Sequence, residues 1–406
     1  MQINLEGGVT SAAGFTAGAT AAGLKGNGQL DLALVYSAQN CVTAAMFTQN
    51  QVAAAPVIVD RETLARDNRA IRAVVVNAKN ANACTGQPGI ENARQMQRLV
   101  ARALGCAPEQ TLVLSTGVIG AQLPMEKIAA GIDAAAQRLS PENGRAAATA
   151  IMTTDTTPKH LSVSVDLPAG KVTIGGMAKG AGMIHPNMAT MLAVLATDAA
   201  VAPAVLQTLL ETAVNQSFNR ISVDGDTSTN DTILLLANGA SGVSLTGAAG
   251  QARFGDALNY VCRELAQMIV RDGEGASKFV EIQVTGARSA AEAHLVANTI
   301  ATSPLVKTAF AGSDPNWGRI LAAAGRAGVP LDQYKMNLWI GADRPDELQL
   351  VANGTPTDYA EAEAAAVFAQ DAFKIWLDLG LGAGNTAVWT SDLTHAYISI
   401  NADYRS

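Results

Sequence analysis

Thr190 stands at the end of an unusual run: residues 179–192 read KGAGMIHPNMATML. Gly180, Gly182 and Pro186 bend the backbone ahead of it, and an apolar segment, residues 191–196, follows at once. A threonine hydroxyl is a weak nucleophile until a base removes its proton. If the threonine is an N-terminus, its own α-amine, with a reference pKa of about 7.7–8.0, can be that base. Making it one requires cutting the Ala189–Thr190 bond. Glycine and proline geometry before the threonine would help the hydroxyl attack its own preceding carbonyl. Read by itself, the segment also fits a strand entry with a buried threonine.

Other residues could complete such chemistry. Residues 115–120, STGVIG, follow an apolar strand. A Thr-Gly step at a strand end can aim backbone amides outward, and the threonine hydroxyl adds a second donor, which is the equipment of an oxyanion hole. The same residues also fit an ordinary strand-end turn. Lys179 lies among glycines, where it could meet a carboxylate. Glu274, also between glycines, could meet an ammonium. A cation and an anion at opposite ends of one pocket suit a zwitterionic amino acid.

Two familiar loops are excluded. Asp224 opens a sequence like a calcium loop, but Thr229 stands where glycine is required and Leu235 where glutamate is required. A polar, self-hydrogen-bonded loop shaping the site is expected instead. The glycine-rich residues 175–182 lack both a GK[ST] ending and a GxGxxG leading into a helix, so no nucleotide site is expected.

The run 179–192 resembles the self-cleavage segment of the ornithine acetyltransferase (ArgJ) family, glutamate N-acetyltransferases of arginine biosynthesis. Further motifs similar to that family follow in order. They are residues 14–25 (GFTAGATAAGLK), 77–86 (NAKNANACTG), 115–120, 152–155 (MTTD), 223–231 (VDGDTSTND), 271–278 (RDGEGASK), 303–309 (SPLVKTA), 313–325 (SDPNWGRILAAAG) and 400–406 (INADYRS). The resemblance implies an α/β fold, a layered sandwich of two facing sheets with outer helices. It implies autocleavage at Ala189–Thr190 into an α chain, 1–189, and a β chain, 190–406, held as an α2β2 or higher assembly. It implies that Thr190 is the nucleophile, that Thr116 and Gly117 stabilise the oxyanion, and that Thr153 or Thr154, Lys179, Thr190, Glu274, Asn401 and Ser406 bind substrate. Some relatives end in threonine where this chain has Ser406, so a hydroxyl is retained. The implied reaction moves an acetyl group from N-acetylornithine to glutamate without a cofactor, and acetyl-CoA is a donor for some members.

The elements that must position these residues are read from pattern. Of the 406 residues, 49% are hydrophobic, 16% charged and only 4% aromatic, so a large globular core of Ala, Val, Leu and Ile is expected. The net charge is −7 and basic residues are dispersed, which disfavours nucleic acid. No apolar stretch approaches bilayer length and residues 1–8 carry no secretory signal. The four cysteines and four histidines are scattered, so no metal site and a reduced, cytoplasmic protein are expected.

Short apolar runs at 32–36, 57–59, 73–76, 112–114, 191–196, 233–237 and 280–284 read as strands. Residues 161–167 alternate, predicting one wet face. Helical spacing joins Met96, Leu99, Val100, Ala103 and Leu104, with Gly105 as the stop. A second helix opens at Pro124 and carries Ile128, Ile132 and Leu139. A third carries Leu206, Leu209, Leu210, Ala213 and Val214, and a fourth runs from Leu258 to Ile269. Residues 158–182 are expected to form an irregular connection into the Thr190 site.

Overall fold

The computed structural model describes residues 1–26, 28–185 and 191–403. Among these, one sheet runs in the order Gln2–Asn4, Lys159–Leu167, Gly170–Lys179, Leu192–Thr197, Thr232–Ala237, Leu32–Phe47, Ile71–Asn77, Thr111–Ser115, with Phe15–Thr20 also paired to Leu32–Phe47. The sheet folds over on itself because Leu32–Phe47 serves both halves. Its later residues, Val42 to Phe47, pair with Thr232–Ala237; its earlier residues, Leu32 to Tyr36, pair with Phe15–Thr20 and Ile71–Asn77. The register shifts between Tyr36 and Cys41, where the strand turns from one half to the other.

Alternation then divides each strand between two cores. Leu192, Val194, Ala196, Leu234 and Leu236 meet Val35, Val74, Val76, Leu112 and Leu114 between the two halves. Ala193, Leu195, Ile233 and Leu235 point the other way, onto helices Pro203–Asn215 and Gly247–Arg271. Leu34, Val75 and Val113 pack under helices Gly86–Leu104 and Met125–Ala136. The result is helix, sheet, sheet, helix: two facing sheets with outer helices. Strands buried on both faces read as unbroken apolar runs, which is why they stand out in the sequence.

A C-terminal lobe adds a second sheet, in the order Thr355–Pro356, Leu348–Ala352, Asn337–Gly341, Ala372–Asp378, Phe279–Ala287, Gly384–Ser391, Ile221–Ser222. It has its own core, in which Val296, Ile300, Phe310, Ile320 and Phe368 from four helices cover one face. The sequence reading recognised only one strand of it, at 280–284.

Several local expectations are corrected. Residues 57–59 lie in helix Ala55–Arg66, not a strand. Pro56 sits in the first turn, where its fixed φ favours a helix start, and three apolar residues carry no usable period. Leu139 lies beyond the second helix, which stops at Ala136. Residues 158–182 are not irregular: they hold the hairpin Lys159–Leu167 and Gly170–Lys179. The glycines that broke the pattern there serve close approach, since a Cβ on Gly175 would lie 1.9 Å from the Gly8 carbonyl oxygen. On the expected wet face of 161–167, Asp166 is exposed but Ser162 is buried beside Gly7 and opposite Asn4. Gly105 caps the first expected helix as foreseen, at φ 67°.

Candidate active site

A pocket of about 230 Å³ opens where the two facing sheets meet the ends of helices Gly247–Arg271 and His395–Asp403. Thr116 and Gly117 enter it directly after strand Thr111–Ser115. Lys179 ends strand Gly170–Lys179, and Thr153 and Thr154 lie just before strand Lys159–Leu167. Glu274 follows helix Gly247–Arg271, and Asn401 comes from helix His395–Asp403. Every expected site residue within the described part of the chain therefore lines one pocket. Ala189, Thr190 and Ser406 lie outside the described residues. The pocket also takes in Gly182, Met183, Asp224, Asp226 and Tyr397.

The turn itself leaves donors that are able to meet an anion. The Thr116 N–H donates to the Asn77 carbonyl at 3.0 Å and the Val118 N–H to the Lys79 carbonyl at 3.1 Å. Among the described residues the Gly117 N–H donates to none. Gly117 has φ 133°, and a Cβ there would stand 2.1 Å from the Lys79 carbonyl carbon, so glycine is required. Lys179 Nζ donates to Thr116 Oγ1 at 3.3 Å. That hydroxyl keeps its own proton for another acceptor, and the ammonium polarises it into a better donor.

A buried ion network sits behind this wall. Asp155 Oδ1 accepts from Lys159 Nζ and from the Gly180 N–H, each at 2.7 Å, while Lys179 Nζ stands 4.0 Å from Oδ2. Lys159 Nζ also reaches Asp272 Oδ2 at 2.5 Å. Burial alone would raise the Asp155 pKa, but Lys179, Lys159 and the Gly180 N–H together hold it well below the usual carboxylate range. Burial lowers the Lys179 pKa, and Asp155 opposes that shift most strongly. The network was missed in the sequence. Asp155 closes the motif at 152–155, but nothing marked Lys159 as its partner.

Glu274 accepts from Asn401 Nδ2 at 2.8 Å, and its backbone N–H donates to the Ala181 carbonyl at 2.8 Å. Gly182 leaves room for it: a Cβ there would fall 2.2 Å from Glu274 Oε2. Tyr397 Oη donates to Asp224 Oδ2 at 3.2 Å. Burial, then the neighbouring Asp224, raises the Tyr397 pKa, so the phenol stays protonated.

The polar loop at 223–231 behaves as its sequence foretold, bonding to itself and to neighbouring backbone. The Asn230 N–H donates to Ser228 Oγ at 3.0 Å, and Thr229 Oγ1 donates to Asn230 Oδ1 at 2.6 Å. Asp224 accepts from the Met183 and Ile184 N–H groups at 2.5 and 2.8 Å. At the loop's other end Asp231 accepts from the Met191 N–H at 3.0 Å. Among the described residues there is no cluster of His, Cys, Asp and Glu able to hold a metal, and no helix long and apolar enough to cross a membrane. All four cysteines are unpaired.

Layered sheets with a small polar pocket at their junction, lined by hydroxyls, a lysine and carboxylates, define an α/β enzyme of the two-facing-sheet kind. The chain belongs to the ArgJ family, which it matches over residues 16–406. An arginine biosynthesis bifunctional protein ArgJ from Symbiobacterium thermophilum is 48% identical over 99% of both chains. Among solved structures, an arginine biosynthesis bifunctional protein ArgJ from Bacillus halodurans is 41% identical, covering 51% of this chain and 96% of that one, with a TM-score of 0.48. The ornithine acetyltransferase from Mycobacterium tuberculosis, solved in complex with ornithine, is 39% identical, covering 46% and 97%, with a TM-score of 0.43.

Proposed function

We propose that this protein transfers an acetyl group from N-acetylornithine to glutamate, after cutting itself at Ala189–Thr190. The observation that carries the reading is the convergence of Thr116, Gly117, Thr153, Thr154, Lys179, Glu274 and Asn401 on one pocket in a chain of the ArgJ family. The Thr190 hydroxyl attacks the acetyl carbonyl and its own α-amine takes the proton. The Thr116 hydroxyl and Gly117 N–H stabilise the oxyanion. Collapse forms an acetyl ester on Thr190 and releases ornithine, whose amine takes up the proton. The glutamate amine then attacks the ester, giving N-acetylglutamate and free Thr190. Lys179 faces the substrate α-carboxylate, Glu274 the ornithine side-chain ammonium, and Thr153 or Thr154, Asn401 and Ser406 complete the contacts. No cofactor or metal enters this scheme. Acetyl-CoA serves as a second donor in the bifunctional form of the reaction.

The precursor is cut into 1–189 and 190–406, and two copies of each assemble as α2β2 in the cytoplasm. The test is purification of the full chain, a denaturing gel, and mass analysis of the smaller bands. Two bands are expected, one beginning Thr-Met-Leu-Ala, together with transfer of labelled acetyl from N-acetylornithine to glutamate. A fully active but uncut chain would overturn the mechanism. Release of free acetate without any acceptor, at a rate equal to transfer, would make the protein a hydrolase instead. A parallel assay with acetyl-CoA decides the second donor.

A further inference from the structure

Asp231 is fully buried, yet the scheme above gives it no part. It closes the polar loop and precedes strand Thr232–Ala237, which pairs in parallel with Leu192–Thr197, Thr232 beside Leu192. Oδ1 accepts from the Met191 N–H at 3.0 Å, and the next residue's N–H, that of Thr232, donates to the Met191 carbonyl at 3.2 Å. Both polar groups of the Met191 backbone are thus held by two consecutive residues. The preceding residue, Asn230, uses Nδ2 to donate to the Ser115 carbonyl at 2.9 Å and the Ala81 carbonyl at 2.7 Å. Ser115 is joined directly to Thr116. The Asp231 carbonyl accepts from the Thr48 N–H at 2.9 Å, which ties the same point to the long shared strand's end.

We propose that Asp231 is the positioning residue of the nucleophile: it pins the peptide unit covalently joined to Thr190 to the loop that also fixes the Thr116 strand. This rests on the assignment of Thr190 as nucleophile. In sequence the nucleophile precedes strand Leu192–Thr197 and the oxyanion donors follow strand Thr111–Ser115, and their relative placement must hold to a fraction of an ångström, since a 1 Å error costs about 10²-fold in rate. The loop supplies that registration through two adjacent side chains, Asn230 toward Thr116 and Asp231 toward residue 191. Asp231 Oδ2 has no hydrogen-bond partner among the described residues. Burial raises the pKa of this carboxyl, and the Met191 N–H opposes that shift. Its work is geometric: Oδ1 fixes the Met191 N–H while the adjacent Asn230 fixes the Ser115 carbonyl.

The two conservative variants separate geometry from acidity. Asp231→Asn keeps the acceptor oxygen in place and removes the acid. Asp231→Glu keeps the acid and displaces the oxygen by a methylene. In the full-length protein, Asp231→Asn is expected to cleave and to keep kcat within about threefold of the unsubstituted enzyme. Asp231→Glu is expected to cleave slowly and, once cleaved, to lose about 10–10²-fold in kcat, with KM for N-acetylornithine little changed. Hydrogen exchange of the Met191 N–H, followed by NMR, should be faster in Asp231→Glu alone. The reverse order of the two variants, or equal losses in both, would show that the acid itself is used and would overturn the proposal. So would a kcat in Asp231→Glu equal to that of the unsubstituted enzyme. If the unsubstituted protein neither cleaves nor transfers acetyl, the reaction scheme has failed and not this assignment.

Discussion

Lys159 in the layered body and Lys307 in the C-terminal lobe are both buried ammonium groups, and they are housed in opposite ways. Lys159 lies between two carboxylates, Asp155 at 2.7 Å and Asp272 at 2.5 Å. Among the described residues Lys307 bonds only to uncharged oxygens: Thr390 Oγ1 at 3.0 Å, Ser391 Oγ at 3.4 Å and the Ser391 carbonyl. Burial pushes its pKa down to about 7, and the charges of Asp392 and Asp224 do not restore it. The difference tracks what each region does. The body keeps charge beside its pocket, where Lys179 shares Asp155 with Lys159. The lobe uses a lysine as a hydrogen-bonding strut between helix Pro304–Ala311 and strand Gly384–Ser391.

The largest expected effect breaks the body's network. Lys159→Met leaves Asp155 and Asp272 short of a buried counter-charge, so stability should fall by about 3–5 kcal/mol, the range for removing one partner of a buried pair. Denaturant unfolding measures it; a loss under 1 kcal/mol would mean that water reaches the network. Next is Thr116→Ala, which should lower kcat by roughly 10²–10³-fold with KM little changed, as for one lost oxyanion donor. A loss confined to KM would make Thr116 a ground-state binding group only.

Third is Glu274→Gln. Its carboxylate is only half-buried, so the loss should sit near the low end for a charge pair, about 2 kcal/mol in kcat/KM. It should fall on N-acetylornithine more than on glutamate, because only the donor carries a side-chain ammonium. Equal losses for both would remove Glu274 from ornithine recognition.

The smallest effect has the opposite sign and sits in the lobe. Lys307→Met should be neutral or stabilising by about 1 kcal/mol at pH 6, because no buried carboxylate loses a bonded partner. The Lys307 pKa is depressed on folding, so between about pH 7 and its unfolded value near 10.4 the unfolded chain binds more protons. The native protein's stability therefore gains from this group as pH rises through that window. The advantage of Lys307→Met should shrink toward pH 10 and be greatest below pH 7. A constant advantage across pH 6–10 would place the Lys307 pKa near its ordinary value.

Legibility in the sequence divides along the same boundary. The body's strands are buried on both faces, so runs such as 73–76, 112–114 and 233–237 are apolar without a break and end at polar turns. Lobe strands such as Ala372–Asp378 alternate buried and half-buried residues, with Lys374 and Trp376 on the outer face, and did not register. The pocket residues were found through motif spacing and the family resemblance, not through pattern. Neither route could reveal Lys159 or Asp231 as buried, because both belong to polar segments whose burial comes from chain brought in from far away. Asp231 meets Met191, and Lys159 meets Asp272. Sequence separation hides such pairs until the sheet order is known.

Leu192–Thr197 lies in the interior of its sheet, flanked by Gly170–Lys179 on one side and Thr232–Ala237 on the other. A break just before it would leave two polypeptides sharing one hydrogen-bonded ladder, with no edge along which they could part. Separating them means melting the sheet. Once melted, the pieces must find each other by diffusion, and refolding changes from a unimolecular to a bimolecular event that dilution penalises. A cut molecule would then persist because it unfolds slowly, not because it recovers readily, so its working lifetime would be set by an unfolding rate. Maturation at this position would be a one-way passage: the fold that directs the cut could not easily be rebuilt from its products.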